Sequence, residues 1–118
     1  MSCGTPAVRI VRGDTPTLDF VLRDGRGKLL DLSGFTQIWF RMAKEGEDEP
    51  KIQKQCEITN TPGTDGKCYT VLTGDDTDED GVYFAQVELK WDEGLSKHQS
   101  CERFIVQIVN EVPELLGD

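Results

Sequence analysis

The sequence predicts an all-β domain, an antiparallel β-sandwich of about seven short strands. Three observations predict it. Apolar residues alternate with polar ones over runs of five to ten positions, the period of half-buried strands. Turn-forming pairs such as Asp24-Gly25, Ser33-Gly34 and Pro62-Gly63 separate those runs. No amphipathic helical pattern of ten or more residues appears anywhere in the 118 residues.

The elements follow in order. Ala7 to Arg12 opens the sheet, and Arg12-Gly13-Asp14 makes the turn after it. Pro16 to Arg23 places Leu18, Phe20 and Leu22 on one face and Asp19, Val21 and Arg23 on the other. Leu29 to Leu32 is a short edge strand or hook. Phe35 to Ala43 turns Ile38, Phe40 and Met42 inward and Gln37, Trp39 and Arg41 outward. KEGEDEP, residues 44–50, is a charged loop. Ile52 to Thr59 carries Ile52, Cys56 and Ile58 on one face, and Lys67 to Thr73 pairs back across the turn Thr61–Gly66. An acidic connection, Asp75–Asp80, leads into the long strand Val82–Trp91, with Tyr83, Ala85, Val87 and Leu89 inward. Glu93–Ser100 is a polar turn, and Glu102–Val109 closes the sheet through Phe104, Val106 and Ile108. The length suits one domain over 1–118, with its core in 7–109 and a tail at 110–118.

Charge narrows the function. The net charge is −9. Residues 1–30 hold five Arg/Lys against three Asp, and residues 31–118 hold eight against nineteen Asp/Glu. An acidic surface repels phosphate backbones, so nucleic-acid binding is not expected. The asymmetry suits head-to-tail contact between copies or docking on a basic partner. No run reaches the roughly 20 apolar residues of a membrane span. MSCGTPAVRIV has no basic region followed by an apolar stretch, so cytoplasmic synthesis is expected.

Cys3, Cys56, Cys68 and Cys101 have no CxxC spacing, and without an export signal they are expected to be free thiols. Cys56 and Cys68 lie symmetrically about Pro62 and face each other if 52–59 and 67–73 form a hairpin. Whether they bond depends on Cα spacing. His98, the single histidine, has an HxxC relation to Cys101, half of a zinc set with no paired second half. Serine-nucleophile motifs and phosphate-cradling glycine loops are absent, and no apolar pocket raises a carboxylate pKa. The expectation is a protein that is not an enzyme and has no cofactor.

Asp76-Thr-Asp78-Glu-Asp80-Gly81 matches the start of a calcium loop, with alternating oxygen donors before a glycine turn. Val87 stands where an EF-hand needs its bidentate carboxylate, and a strand follows instead of a helix. An EF-hand is excluded; another weak calcium site at Asp76, Asp78 and Asp80 stays open beside the plain reading as an acidic turn. Trp39, Phe84 and Trp91 are either interface aromatics or residues covered by other chain.

RGDT-x-x-LDFVLRDGRGKLLDLSGFTQIWFRM, then GKCYTVLTGDDTDEDGVYFAQVELKW, then RFIVQI, resembles the N-terminal domain of phage baseplate upper proteins. The features that carry this are Gly13-Asp14 before the first long strand and the hook Asp31-Leu32-Ser33-Gly34. To these is added Gly81-Val82-Tyr83 leading to Ala85 and Glu88. The resemblance spans about residues 8–109. It implies an immunoglobulin-like sandwich and a phage or prophage virion structural protein, in the tail or baseplate, acting by docking on other tail proteins. A free-standing accessory that uses only the docking domain is the expectation. The interface residues expected are Trp39, Trp91, Arg9, Arg12, Arg23 and Arg26, the arginines meeting an acidic surface of a partner or a second copy. A carbohydrate or host-surface binding module and a capsid-associated accessory are the alternatives.

Overall fold

A computed structural model describes residues 7–90, 98–101 and 103–110. They form an all-β sandwich of two sheets. The strands are β1 Ala7–Val11, β2 Thr17–Val21, β3 Gln37–Lys44, β4 Ile52–Gln55, β5 Glu57–Ile58, β6 Lys67–Val71, β7 Gly81–Lys90, β8 His98–Ser100 and β9 Phe104–Val109. The larger sheet runs β1-β9-β7-β3-β4, with β8 also pairing β7, and the smaller runs β2-β6-β5.

The alternation expected from the sequence places the core. Leu18, Phe20 and Leu22 face Ile38, Phe40, Met42, Tyr83, Ala85, Val87, Leu89, Phe104, Val106 and Ile108, all buried. Phe20 of the small sheet stacks on Phe40 at 5.8 Å between centroids and meets Phe104 at 5.9 Å, while Phe40 and Phe104 lie 6.4 Å apart. Three rings thus join three strands and both sheets, a contact stronger than its area alone.

Four expectations change. The sandwich is not wholly antiparallel: β1 pairs β9 in parallel, Ala7 with Ile105 through Val11 with Val109. The turn at 12–16 carries the chain from one sheet to the other, so β1 and β2 cannot form a hairpin, and β1 lies beside the last strand instead. Residues 52–59 are not one strand. Cys56 donates its N–H to Ile38 O at 2.7 Å, and beyond it Glu57 and Ile58 pair with β6, so the chain changes sheets at Cys56. Leu29–Leu32 does not make a strand. Only Leu29 bridges, to Arg23, and Leu32–Gly34 is a 3₁₀ turn capped by Asp31 Oδ1, which accepts from Ser33 N at 2.9 Å. His98–Ser100, expected in the polar turn Glu93–Ser100, form β8 through three backbone pairings to Glu88–Lys90.

Candidate functional site

Among the described residues, no group of three or more His, Cys, Asp or Glu is arranged to hold a metal. The chemistry lies on three surfaces: the outer face of the larger sheet, the loops at one pole, and the hairpin at the other.

On the outer face, Trp39 is half-buried and its indole N–H donates to Gln37 Oε1 at 3.0 Å. Its cross-strand neighbours are Glu88 and Gln55. Arg41 Nη2 lies 3.0 Å from Glu88 Oε1, with Lys90 Nζ at 3.7 Å from the same oxygen. Arg41 Nε and Glu88 Oε1 are buried without an aligned hydrogen bond, so the pair is Coulombic rather than a bidentate fork. Further along the face, the Arg103 guanidinium covers the Phe84 ring at 5.0 Å. Ile105 of β9 is exposed. Arg9 is exposed on β1.

At one pole, the acidic loop is tied by three lysines, one from β3, one from the turn before β4 and one from β4. Lys44 bridges Glu79, Lys51 bridges Asp78 at 2.9 Å, and Lys54 bridges Asp76 at 2.5 Å. Burial opposes ionisation of Asp76, but Lys54 and the Thr73 N–H outweigh it and hold its carboxyl below the ordinary value. Lys44 lowers Glu79 in the same way and is itself raised by it. The carboxylates proposed from sequence as cation ligands therefore face lysines, one each for Asp76 and Asp78. Asp80 is exposed and belongs to no cluster able to hold a metal. Thr77, at the centre of this loop, is fully buried. Its Oγ1 donates to Asp14 O at 2.7 Å, and Gly13 N donates to Thr77 O at 2.9 Å. Sequence reasoning passed over Thr77; a single non-acidic residue inside an acidic run was the available signal.

The five expected interface residues that lie among the described residues are spread over both sheets. Arg12 sits in the turn before β2, and Arg23 and Arg26 lie after β2 at its other end. Arg9 lies on the other sheet. All four are exposed. Trp91 lies outside the described residues, as does Cys3.

Two thiol expectations resolve differently. Cys56 and Cys68 are free and buried, and the Cys68 side-chain hydrogen bond together with burial drives the Cys56 thiol far above its ordinary value. They do not sit directly opposite, since Cys68 pairs with Ile58. Cys101 is not a free thiol but disulfide-bonded. Its Sγ accepts from Val87 N at 3.1 Å, at a break between β8 and β9.

No family model matches the chain, and no curated protein matches it in sequence. Among solved structures, it is similar to the N-terminal domain of phage TP901-1 ORF48, with a TM-score of 0.65 and 16% identity. That likeness covers 91% of this chain and 92% of the other. A chain from a structure of T cell specificity and activation by the bacterial superantigen toxic shock syndrome toxin-1 is similar at a TM-score of 0.54 and 9% identity. It covers 92% of this chain and 97% of that one. At such identities the fold is what each likeness carries.

Proposed function

We propose that this chain is a non-enzymatic structural protein of a phage or prophage particle, an immunoglobulin-like docking domain of the tail or baseplate. The observation that carries the reading is the match to a phage protein domain over nine-tenths of both chains. The resemblance read from Gly13-Asp14, Asp31–Gly34 and Gly81–Glu88 points the same way and adds the baseplate.

The strand order supports the immunoglobulin-like class. One sheet of β2, β6 and β5 against another of β9, β7, β3 and β4 has the connectivity of a variable-type domain. Tyr83 near the start of β7 donates its hydroxyl to Glu79 O, four residues back, at 2.7 Å. That is the tyrosine corner of such sandwiches. Ala85 then stands where antibody domains place the second cysteine, and the Phe20, Phe40 and Phe104 cluster holds the sheets together instead.

Docking uses the outer sheet face around Trp39, the edge strand β1 with Arg9, and the exposed arginines. Neither Trp39 nor Phe84 is an open sugar platform. Trp39 is half-buried against its own strand, and Phe84 is capped by Arg103. The partners are other virion proteins.

The test is mass spectrometry of purified particles with heads and tails separated. Fixed stoichiometry in the tail fraction is the expected result. Presence only in heads moves the protein to the capsid, and absence from particles overturns the structural reading.

A further inference from the structure

The sandwich has two poles of opposite chemistry. β2 ends and β3 begins at one pole, where Leu22 N donates to Gly66 O at 2.8 Å and Leu32 N to Gly63 O at 2.9 Å. The 23–28 hairpin projects there. From that pole β3 runs eight residues, roughly 26 Å at strand rise. The loop 45–50 begins at the other pole, where Glu45 N donates to Val82 O at 2.9 Å.

The hairpin is basic by construction. Its one carboxylate, Asp24, is turned onto its own backbone: Oδ1 accepts from Arg26 N at 2.8 Å and Lys28 N at 3.0 Å. Arg23 Nη1 donates to Gly27 O at 3.0 Å, which braces the turn. Arg23, Arg26 and Lys28 have no carboxylate partner among the described residues. Leu29 beside them is 46% exposed.

At the far pole a cleft of about 540 Å³ opens between the 45–50 loop and the outer sheet face. Phe84 lies in its wall, with Arg103 stacked on the ring. Its other cations, Arg41 and Lys44, are already paired with Glu88 and Glu79. Glu47 and Asp48 line it with no cation at ion-pair distance among the described residues, and Glu45 and Glu49 flank them in the same state. Arg103 is the one lining cation without a carboxylate partner among the described residues, and set against it the four loop carboxylates leave the region of this concavity net negative.

We infer that the cleft under the 45–50 loop receives the 23–28 hairpin of a second copy of this chain. A projecting basic turn meets a concave acidic socket, and the poles lie too far apart to meet within one molecule. Such a contact is heterologous, so copies add head to tail and close a ring or extend a row according to the rotation at each step. The contact rests on the docking reading proposed above. Exposed ion pairs are individually weak, so association between free copies is modest and salt-sensitive, and it gains strength where a particle holds copies side by side.

The experiment uses the full chain, with amide NMR shifts and sedimentation velocity followed over rising protein concentration at low and high salt. Shifts at residues 23–29 and 45–50 together, with faster sedimentation at low salt only, are expected. The double variant Arg26→Glu with Lys28→Glu weakens association by about tenfold or more, as does Glu47→Lys with Asp48→Lys, and a mixture of the two restores it. Asp19→Lys, a charge reversal at an exposed position of β2 outside the contact, leaves it unaltered. Concentration-independent shifts, or equal loss with Asp19→Lys, overturn the contact. Tail-fraction presence beside a strictly monomeric chain would leave the docking reading standing and remove this one.

Discussion

Gly66→Ala tests how the basic hairpin is held to the sandwich. Gly66 has φ +72, and an added Cβ would lie 2.5 Å from Leu22 O and 3.1 Å from Leu30 N and O. The left-handed conformation costs an alanine about 1–2 kcal/mol. The clash is with backbone, so Leu22 must move. Two hydrogen bonds then suffer, Leu22 N to Gly66 O at 2.8 Å and Leu30 N to Leu22 O at 2.9 Å, each contributing about 0.5–1.5 kcal/mol. The expected destabilisation is about 2–5 kcal/mol, a large share of a domain's total. Gly46→Ala is the internal control: φ is +87, but nothing lies within 4 Å of the added carbon. It should lose only the conformational part, about 1–2 kcal/mol. Urea unfolding at constant slope reads both differences. Equal losses at the two glycines would refute the claim that close approach of Leu22 sets the cost.

Three further expectations concern the core and its titrating groups. Phe20→Ala removes the ring that joins the sheets and should cost about 3–5 kcal/mol in urea unfolding. Its loss should be non-additive with Phe104→Ala, and full additivity would dissolve the cluster as a unit. Asp31, Asp65, Asp76 and Glu79 are all lowered, by Ser33, Asn60, Lys54 with Thr73, and Lys44 respectively. Groups depressed in the folded state stabilise above their unfolded pKa, near 4, and that stability is lost as pH falls through the folded values. The urea midpoint should therefore drop between about pH 5 and pH 3; a flat midpoint would contradict it. Cys56 and Cys68 should resist iodoacetamide until the chain unfolds, because burial and the Cys68 contact keep the Cys56 thiol protonated. Rapid labelling of the native protein, read by mass, would show the thiols to be accessible.

What could be read from the chain was local. Leu18, Phe20 and Leu22, or Tyr83 through Leu89, alternate within single strands, and a period of two is visible without knowing the partner. The hook at Asp31–Gly34 was equally local, since Asp31 caps its own neighbours. Pairings between distant segments were not legible. Nothing in Ala7–Val11 announces a parallel neighbour a hundred residues on, and nothing in QKQCEI announces that Cys56 changes sheets. The acidic loop stayed open between two readings for the same reason. Asp76 and Asp78 look like cation ligands when only their own spacing is seen, and the lysines that answer them come from β4 and the turn before it. Arg9, Arg12, Arg23 and Arg26 read as one basic group along the sequence. A strand and a change of sheet separate them in space.

The three lysine bridges are not equal, and the difference is measurable. The Lys54–Asp76 side chains are 26% and 17% exposed, whereas those of Lys44–Glu79 are 33% and 53% exposed. Lys44→Met frees Glu79 to water and should change stability by well under 1 kcal/mol, as for most exposed pairs. Lys54→Met leaves Asp76 mostly covered and without its cation. It also removes a donor to Val71 O at 3.1 Å, where β6 has lost β5 as a neighbour. A covered charge deprived of its partner costs more than the pair contributed, so Lys54→Met should be the worse substitution by about 1–2 kcal/mol. Adding Asp76→Asn should recover part of that loss, because the uncompensated charge goes with it. Equal urea midpoints for Lys44→Met and Lys54→Met would mean that water reaches Asp76 freely. The acidic loop would then be only a solvated connection, and not a strap closing the β4 side of the sandwich.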